Sequence, residues 1–347
     1  MSKKNSNVIL KNFFREFKDL SKVYLSFKKK LDSIKQKSHV VAVSGGPDSL
    51  ALVALTKAYS IQNKTKFYYV LINHNIRKNS FSEAKKVKSL LKKNKISLTI
   101  ISNKKKISRN IQNSARLIRY QFLTSFCKKK KIKHILTAHN LEDQIETFFI
   151  RLSRGSGLKG LSSMKDVTTL SNKIILYRPL LDIKKQELVR ISKKFFGYYI
   201  KDPSNKDNKY LRSRIRSLKK PLKQSGIEYD QILRSINNLA SSEIIVEKFF
   251  QKKFKETAKC FKNKVYLNLE KFKKLDTEIK IRTINLSIKN IKKNYYNPRS
   301  KKVINLINKL EIDKNAKSTL AGCVFVREKE KILVKIEKNN VFPMNKL

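Results

Sequence analysis

Cysteine is scarce: the 347 residues hold three, Cys127, Cys260 and Cys323, far apart in the chain. An odd number at such spacing makes no disulfide framework and fits a reducing, cytoplasmic setting. There is no Cys-x-x-Cys pair, and the histidines are His39, His74, His134 and His139 alone, so a zinc or iron–sulfur centre has no ligand set. Missing too is any apolar run near the ~20 residues that span a bilayer, and the N-terminus has no signal-peptide apolar core. No membrane partner is expected. Acidic residues are few, 26 against 81 Lys and Arg, for a net charge of +55. That surplus suits a polyanion, because each Lys or Arg meeting a phosphate releases a counterion. It also suits the Lys, Ile and Asn bias of AT-rich genomes, with many lysines on solvated faces, so charge alone does not decide for nucleic acid.

Forty per cent of the residues are hydrophobic, enough for a proper core, and the length suits two domains. The stretch from Asn7 to Ile34 alternates apolar and basic residues at helical spacing but carries Glu16, Asp19 and Asp32, and reads as a surface helical extension over residues 1–37 rather than a targeting peptide. From residue 38 strand and helix alternate. Strands are expected at His39–Val43, Phe67–Ile72, Leu98–Ile101, His134–Ala138 and Ile174–Tyr177. Helices are expected at Asp48–Tyr59, Ser80–Lys92, Asn110–Lys130, Leu141–Leu152 and Lys184–Phe195. Such alternation predicts a parallel sheet covered on both faces, with ligands beyond the carboxyl ends of the strands. The character changes after Asp202-Pro203-Ser204-Asn205, and a boundary is expected at 217–225, where Pro221 interrupts a basic stretch. The remainder, over 225–340, reads as mostly helical, for example Ile227–Lys255 and Glu278–Ile291, with two short strands at Ala321–Arg327 and Lys331–Ile336.

The chemistry centres on Val40-Val41-Ala42-Val43 running into Ser44-Gly45-Gly46-Pro47-Asp48-Ser49. Paired glycines let backbone approach an anion closely, and the following helix N-terminus offers unpaired N–H groups. Ser44 and Ser49 add hydroxyls, and Asp48 supplies a carboxylate suited to Mg2+. The Lys-Ser/Thr ending of a Walker A loop is absent. A plain strand-to-helix turn with a Ser or Asp cap is the blander alternative, but it does not require the whole hexapeptide.

Ser-Gly-Gly-x-Asp-Ser resembles the signature of the PP-loop ATP pyrophosphatases, which cleave ATP between the α- and β-phosphates and adenylate a carbonyl-type oxygen. Further segments resemble one branch of that family, the tRNA(Ile)-lysidine synthetases. Asn73-His74-Asn75-Ile76-Arg77 is similar to their Asp-His-Gly-Leu-Arg stretch, and Ala115-Arg116-Leu117-Ile118-Arg119-Tyr120 to their Ala-Arg-x-x-Arg-Tyr helix. Thr137-Ala138-His139-Asn140-Leu141-Glu142-Asp143-Gln144-Ile145-Glu146-Thr147, running on to Arg154-Gly155-Ser156-Gly157 and Gly160-Leu161, resembles their most distinctive block. Asp202 to Asn205 with Arg212-Ser213-Arg214-Ile215-Arg216 resembles the segment closing their catalytic domain. Pro298-Arg299-Ser300 and Leu320-Ala321-Gly322-Cys323 are similar to their RNA-contacting second domain. The likeness covers residues 38 to 337, and its spaced blocks carry more weight together than any one alone.

The resemblance implies an α/β fold: a parallel-sheet, Rossmann-like PP-loop ATPase domain over 38–217, then a smaller, mainly helical tRNA-binding domain. It implies an ATP-dependent ligase that adenylates C2 of the wobble cytidine in the CAU anticodon of tRNA-Ile, after which L-lysine attacks and AMP leaves. By the same resemblance, Ser44, Gly45, Gly46, Pro47 and Ser49 bind the phosphates, with Asp48 on Mg2+. Asp143 and Glu146, three apart on one helix face, hold Mg2+ or the lysine ammonium, although Asn140-x-x-Asp143 also fits a capping box. Arg116 would neutralise charge on the adenylate, with Arg119 and His74 lining the nucleotide pocket and His139 beside them. Arg212, Arg214 and Arg216 would meet tRNA phosphates. A solvated basic face remains the alternative for the arginines, and a structural role for the histidines.

Three positions depart from the family pattern: Asn73 stands where Asp is usual, Asn75 where Gly is, and Ser213 where Asn is common. The chain ends near the close of the second domain, like shorter members without a third. A homodimer stays open. Two rivals remain, a PP-loop tRNA thiolase, which commonly has paired cysteines, and a non-catalytic basic RNA-binding protein, which has no use for Asp48, Asp143 and Glu146.

Overall fold

In a computed structural model of the chain, the described residues are 18–77, 79–104, 107, 111–170, 173–200, 211–292 and 298–337. Asn110 and the Asp202-Pro203-Ser204-Asn205 segment lie outside them. The chain divides into two compact units, Met1–Ala240 and Ser241–Leu347.

The first unit opens with α1 (Lys18–Asp32), β1 (Ser38–Val43), α2 (Pro47–Gln62), β2 (Lys66–Asn73), α3 (Ser80–Lys93) and β3 (Leu98–Ser102). It continues through α4 (Ile111–Lys129), β4 (His134–Leu136), α5 (Leu141–Leu152), α6 (Leu158–Leu161), β5 (Val167–Thr169) and β6 (Ile175–Tyr177). Then come α7 (Lys185–Phe196), α8 (Leu211–Ser217), α9 (Lys219–Gln224) and α10 (Tyr229–Thr257). The sheet order is β3-β2-β1-β4-β6-β5. All neighbours pair in parallel except β5, which is antiparallel to β6 and was not expected from the sequence. Strand order reverses at β1, whose neighbours are β2 on one side and β4 on the other, so the loops leaving β1 and β4 diverge and open a crevice.

Helix α2 is apolar on all sides and is accordingly enclosed, with Leu50 to Leu55 wholly buried. It packs on α7 and β1. The N-terminal helix lies on the surface with one face outward, Leu25 included, and one face packed. Leu20, Val23, Tyr24, Phe27 and Leu31 form a stripe at helical spacing that is buried against α2 and α7, leaving the lysines outward. On the other sheet face, Leu123 and Cys127 of α4 pack on Val40, Val70, Ile135 and Leu176.

The two compact units divide within α10, between Ala240 and Ser241. Ile232 and Ile236 in its first turns pack with Leu141 and Ile145 of α5, which ties the helix start to the first unit. The second unit adds β7 (Ala258–Cys260), β8 (Lys264–Asn268), α11 (Leu269–Lys273), α12 (Thr277–Ile291) and α13 (Ser300–Ile312). It closes with β9 (Lys317–Leu320), β10 (Cys323–Glu328) and β11 (Lys331–Ile336). Where two strands were expected there are five, in one antiparallel sheet of order β7-β8-β11-β10-β9. Its inner face sends Val265, Leu267, Phe325, Ile332 and Val334 against Ile284, Ile288, Val303 and Leu310 of the helices. Strand β10 starts two residues later than predicted because Ala321 (φ 53°) and Gly322 (φ 76°) are both left-handed. They form the two-residue hairpin turn that pairs Leu320 with Cys323.

Candidate active site

The glycine-rich hexapeptide leaves the carboxyl end of β1 and enters α2 with Gly46 as N-cap and Pro47 in the first turn, where a missing N–H costs nothing. Gly45 has φ 85°, and a Cβ there would meet Val87 Cγ2 at 2.5 Å, so the position requires glycine. Ser49 is buried and organises the loop. Its hydroxyl accepts from the Ser44 and Gly45 amides at 3.1 Å and donates to the Gly46 carbonyl at 3.0 Å. That uses the Ser49 proton inside the loop, and the exposed Ser44 hydroxyl in turn donates to Ser49 Oγ at 3.1 Å.

Asp48 differs from the rest of the loop. Its Oδ1 is buried with no hydrogen-bond partner among the described residues. Burial pushes its carboxyl up to about 6; nearby Lys185 and a hydrogen bond with Asn140 pull it down, while Asp143 and Glu142 push it up. A buried, unpaired carboxylate oxygen beside a phosphate-type loop is the donor a hard cation takes. Among the described residues no three His, Cys, Asp or Glu side chains group as a protein-only metal cage. A Mg2+ ion needs only one or two carboxylates when phosphates complete its shell, so the donor set fits that ion.

Across the crevice, α5 begins with a reciprocal cap. The Asp143 amide donates to Asn140 Oδ1 at 3.0 Å, and the Asn140 amide donates to Asp143 Oδ2 at 3.1 Å. The other Asp143 oxygen accepts from Arg212 Nη2 at 3.0 Å. Glu146, one turn on and 3% exposed, accepts from Nε of both Arg212 and Arg216. Arg212 and Arg216 lie four apart on α8, so one face of that short helix presents both to α5. Arg214 points elsewhere and is exposed. The three alternating arginines are thus not equivalent: two are paired with carboxylates and one faces solvent. Glu142 accepts from the Lys185 amide at 2.8 Å and from Lys219 at 3.2 Å, pinning the start of α7. A cleft of about 580 Å³ adjoins this cluster, lined by Glu142, Glu146, Lys185, Arg190, Arg216 and Tyr229 among others.

A third group of side chains is basic. His74 follows β2, and neither ring nitrogen has a partner among the described residues. Burial, then Arg119, holds it down at about 4, so the ring is neutral near pH 7. His139 meets Thr137 Oγ1 through Nδ1 at 3.0 Å and is pushed down to about 3 by burial and then by Arg178, Arg116, Arg212 and Arg119. Arg119 is exposed at its surface, yet desolvation lowers it from the ordinary arginine value. Arg116 lies over the Tyr120 ring at 5.2 Å. Asn75 adopts φ 52°, a left-handed conformation that Asn tolerates, which accounts for its standing where glycine is usual. Asn73 is buried, and its Oδ1 accepts from the Asn75 amide at 3.1 Å, so it serves the turn itself.

These groups occupy the crevice at the reversal of strand order. The PP-loop domain family matches residues 19–222. The tRNA(Ile)-lysidine synthase of Wolbachia pipientis wMel is 34% identical over 306 residues, spanning 87% of this chain and 71% of that protein. The chain belongs to the tRNA(Ile)-lysidine synthase family. The tRNA(Ile)-lysidine synthase of Rickettsia akari (strain Hartford) is 31% identical over 312 residues, 88% of this chain and 71% of that one. That of Orientia tsutsugamushi (strain Boryong) is 42% identical over 183 residues, 52% of this chain and 41% of that one. Among solved structures, the U34-tRNA thiolase NcsA from Methanococcus maripaludis with its [4Fe-4S] cluster has a TM-score of 0.54. It is 19% identical, covering 64% of this chain and 78% of that chain, and the likeness is one of fold.

For a lysidine synthase fold, sequence reasoning missed Arg178, Lys185 and Tyr120. Arg178 is 5% exposed, and its Nη1 donates to the Lys165 carbonyl at 2.6 Å and Thr168 Oγ1 at 2.8 Å. It also hydrogen-bonds Tyr120. The available signal was its place just past the carboxyl end of β6, where open α/β sheets put ligand-facing residues. Lys185 could be assigned only once α7 was seen to bring its N-terminus beside Asp48.

Proposed function

We propose that this chain makes lysidine in tRNA-Ile bearing the CAU anticodon, using ATP and free L-lysine. The C2 oxygen of the wobble cytidine attacks the α-phosphorus of ATP, and pyrophosphate leaves. The lysine side-chain amine then adds at C2, loses a proton and expels AMP. Adenylation is needed because an amide-like oxygen leaves poorly on its own. The observation that carries this reading is the unpaired, buried Oδ1 of Asp48 at the phosphate-type loop, in a chain aligned with lysidine synthases over most of its length.

The N-terminus of α2, with Ser44 at the exposed edge of the loop, would hold the pyrophosphate portion. Asp48 would hold Mg2+, which when bound spreads the phosphate charge. His74, neutral and unpaired, would bond the nucleotide, while Arg116 and Arg119 would face the charge that grows on the adenylate. Glu146 and Asp143 keep Arg212 and Arg216 in place, and the adjoining cleft, with acidic and basic groups together, is where an amino acid carrying both charges would fit. The arginine pairs support a role for Arg212 and Arg216 within the site rather than on an open tRNA surface. Arg214 remains for phosphate contact.

The test uses purified protein, ATP, Mg2+, radiolabelled lysine and a tRNA-Ile transcript with CAU, beside an Asp48→Ala control. Label at the wobble cytidine that disappears in the control is the expected result. AMP production that depends on tRNA but leaves no lysine label would move the nucleophile to sulfur or another amine. No AMP and no label would end the enzyme reading.

A further inference from the structure

The antiparallel sheet of the second unit buries its inner face; on the outer face Val324 is also buried and Tyr266, Leu333 and Val326 are half-buried, whereas Lys259, Lys264, Lys331 and Lys335 are exposed. Register places Lys259, Tyr266, Leu333, Val326 and Lys317 in one row across the outer face, from β7 to β9. The next row runs Lys264, Lys335, Val324 and Thr319. An exposed sheet face alternating polar residues needs no explanation. This one has a different composition at its centre. Tyr266 carries the Lys264 ammonium 5.2 Å and the Lys331 ammonium 4.8 Å from its ring centroid. Phe261, 52% exposed, meets Tyr266 edge-on at 5.9 Å, and Lys264 also lies over Phe261 at 5.7 Å.

Drift toward lysine explains positive charge but not two accessible aromatic rings held among ammonium groups. Neither row holds a carboxylate among the described residues; Glu328, in the adjoining row, pairs with Lys331 at 3.3 Å. Rings offering faces and edges, with cations spaced across neighbouring strands, are what unpaired bases and the phosphates between them require. A duplex would present only phosphates here and leave the rings unused.

We propose that this outer face is a stacking platform for single-stranded RNA, with Tyr266 and Phe261 taking bases and Lys259, Lys264, Lys331 and Lys335 taking phosphates. The proposal rests on the reading that the chain acts on a tRNA, whose loops provide such unpaired segments. It places one RNA contact wholly on the second unit.

Binding of the full chain to a fluorescein-labelled 12-nucleotide oligouridine and to a 12-base-pair RNA duplex tests it, by anisotropy across a salt series. Phe261→Ala and Tyr266→Ala should weaken oligouridine binding about 5- to 100-fold and leave the duplex nearly unchanged. Tyr266→Phe keeps the ring and should bind as the parent does. Lys264→Gln with Lys335→Gln should reduce the salt slope for oligouridine by about 1.4. Phe261, being half-exposed, provides the variant that keeps its fold should Tyr266→Ala lower the melting temperature. Equal oligouridine binding by Phe261→Ala and the parent would overturn the platform, as would equal losses on strand and duplex. A parent chain that makes lysidine while both aromatic variants bind normally removes the platform alone; a parent that binds no RNA removes the tRNA reading as well.

Discussion

Glu146 in the first unit lies between two guanidinium groups, whereas Arg282 in the second lies among three carboxylates. Arg282 is 5% exposed and donates to Glu243 at 2.6 and 2.9 Å, to Glu247 at 3.0 Å and to Glu278 at 2.8 Å. Burial alone would lower its proton affinity, but the hydrogen bonds and charges of Glu243 and Glu278 outweigh that and hold it above the ordinary arginine value. The cluster joins α10 to α12 within the second unit. Around Glu146 the carboxylate is buried, yet Arg212 and Arg216 keep 36% and 30% of their side chains accessible and border a cleft. Both clusters satisfy a buried charge. One is closed on itself and serves packing; the other holds its cations at the edge of a site, where a substrate can compete for them.

Arg282→Met should show the largest effect. Leaving three carboxylates without their shared cation costs about 3–5 kcal/mol, read as a drop in urea midpoint, while lysidine formation per folded molecule stays within a few-fold. A loss of activity greater than the loss of folded protein would erase the distinction between the clusters. Glu146→Gln should do the converse, lowering lysidine formation about 100-fold in single-turnover assays with a smaller change in melting temperature. Near-normal turnover by that variant would make the Glu146 cluster as structural as the other.

Acidity sharpens the contrast further. The Asp48 carboxyl is raised to about 6, so it keeps its proton until pH climbs through that value. Mg2+-dependent ATP binding, followed by calorimetry, should therefore fall about tenfold per unit below pH 6. The stability sign is opposite: without ligand, what this group contributes is whole below its unfolded value of 3.8 and is lost as pH rises through about 6. Asp48→Asn should thus melt no lower than the parent at pH 7.5 while losing the binding. A parent profile that is flat from pH 5 to 8 would rule out Asp48 as the titrating ligand. Asp143→Ala removes a cap and one arginine contact, with about 1 kcal/mol expected from denaturant midpoints. The smallest effect belongs to Arg214→Gln, which should weaken tRNA binding only a few-fold and flatten its salt dependence by no more than about 0.9.

Much of the first unit was legible because its signals are local. The Val-rich strand, the Gly-Gly turn and the apolar α2 each lie in one continuous stretch, and Gly45 needs its left-handed φ wherever the chain goes. The capping box of Asn140 and Asp143 was likewise readable from spacing. Strands β7, β8 and β9 were not, since each is only three to five residues long, and β8 also pairs with β11, more than sixty positions away. The packed face of the N-terminal helix was hidden for a related reason. The helix's lysines are visible in sequence, whereas the burial of Phe27 depends on α2 and α7 arriving beneath it.

The amino-acid sequence by itself determined the phosphate-type loop, the strand-and-helix alternation and the family, because these depend on short-range geometry and on the residue types that chemistry demands. Tertiary structure alone decided which charges meet. It turned Arg212 and Arg216 toward Glu146 and left Arg214 in solvent, and it placed Arg178 and Lys185 in the crevice. It also left one oxygen of Asp48 without a partner among the described residues. Electrostatic pairing depends on distance and desolvation in three dimensions, and neither is written in the spacing of residues along a chain.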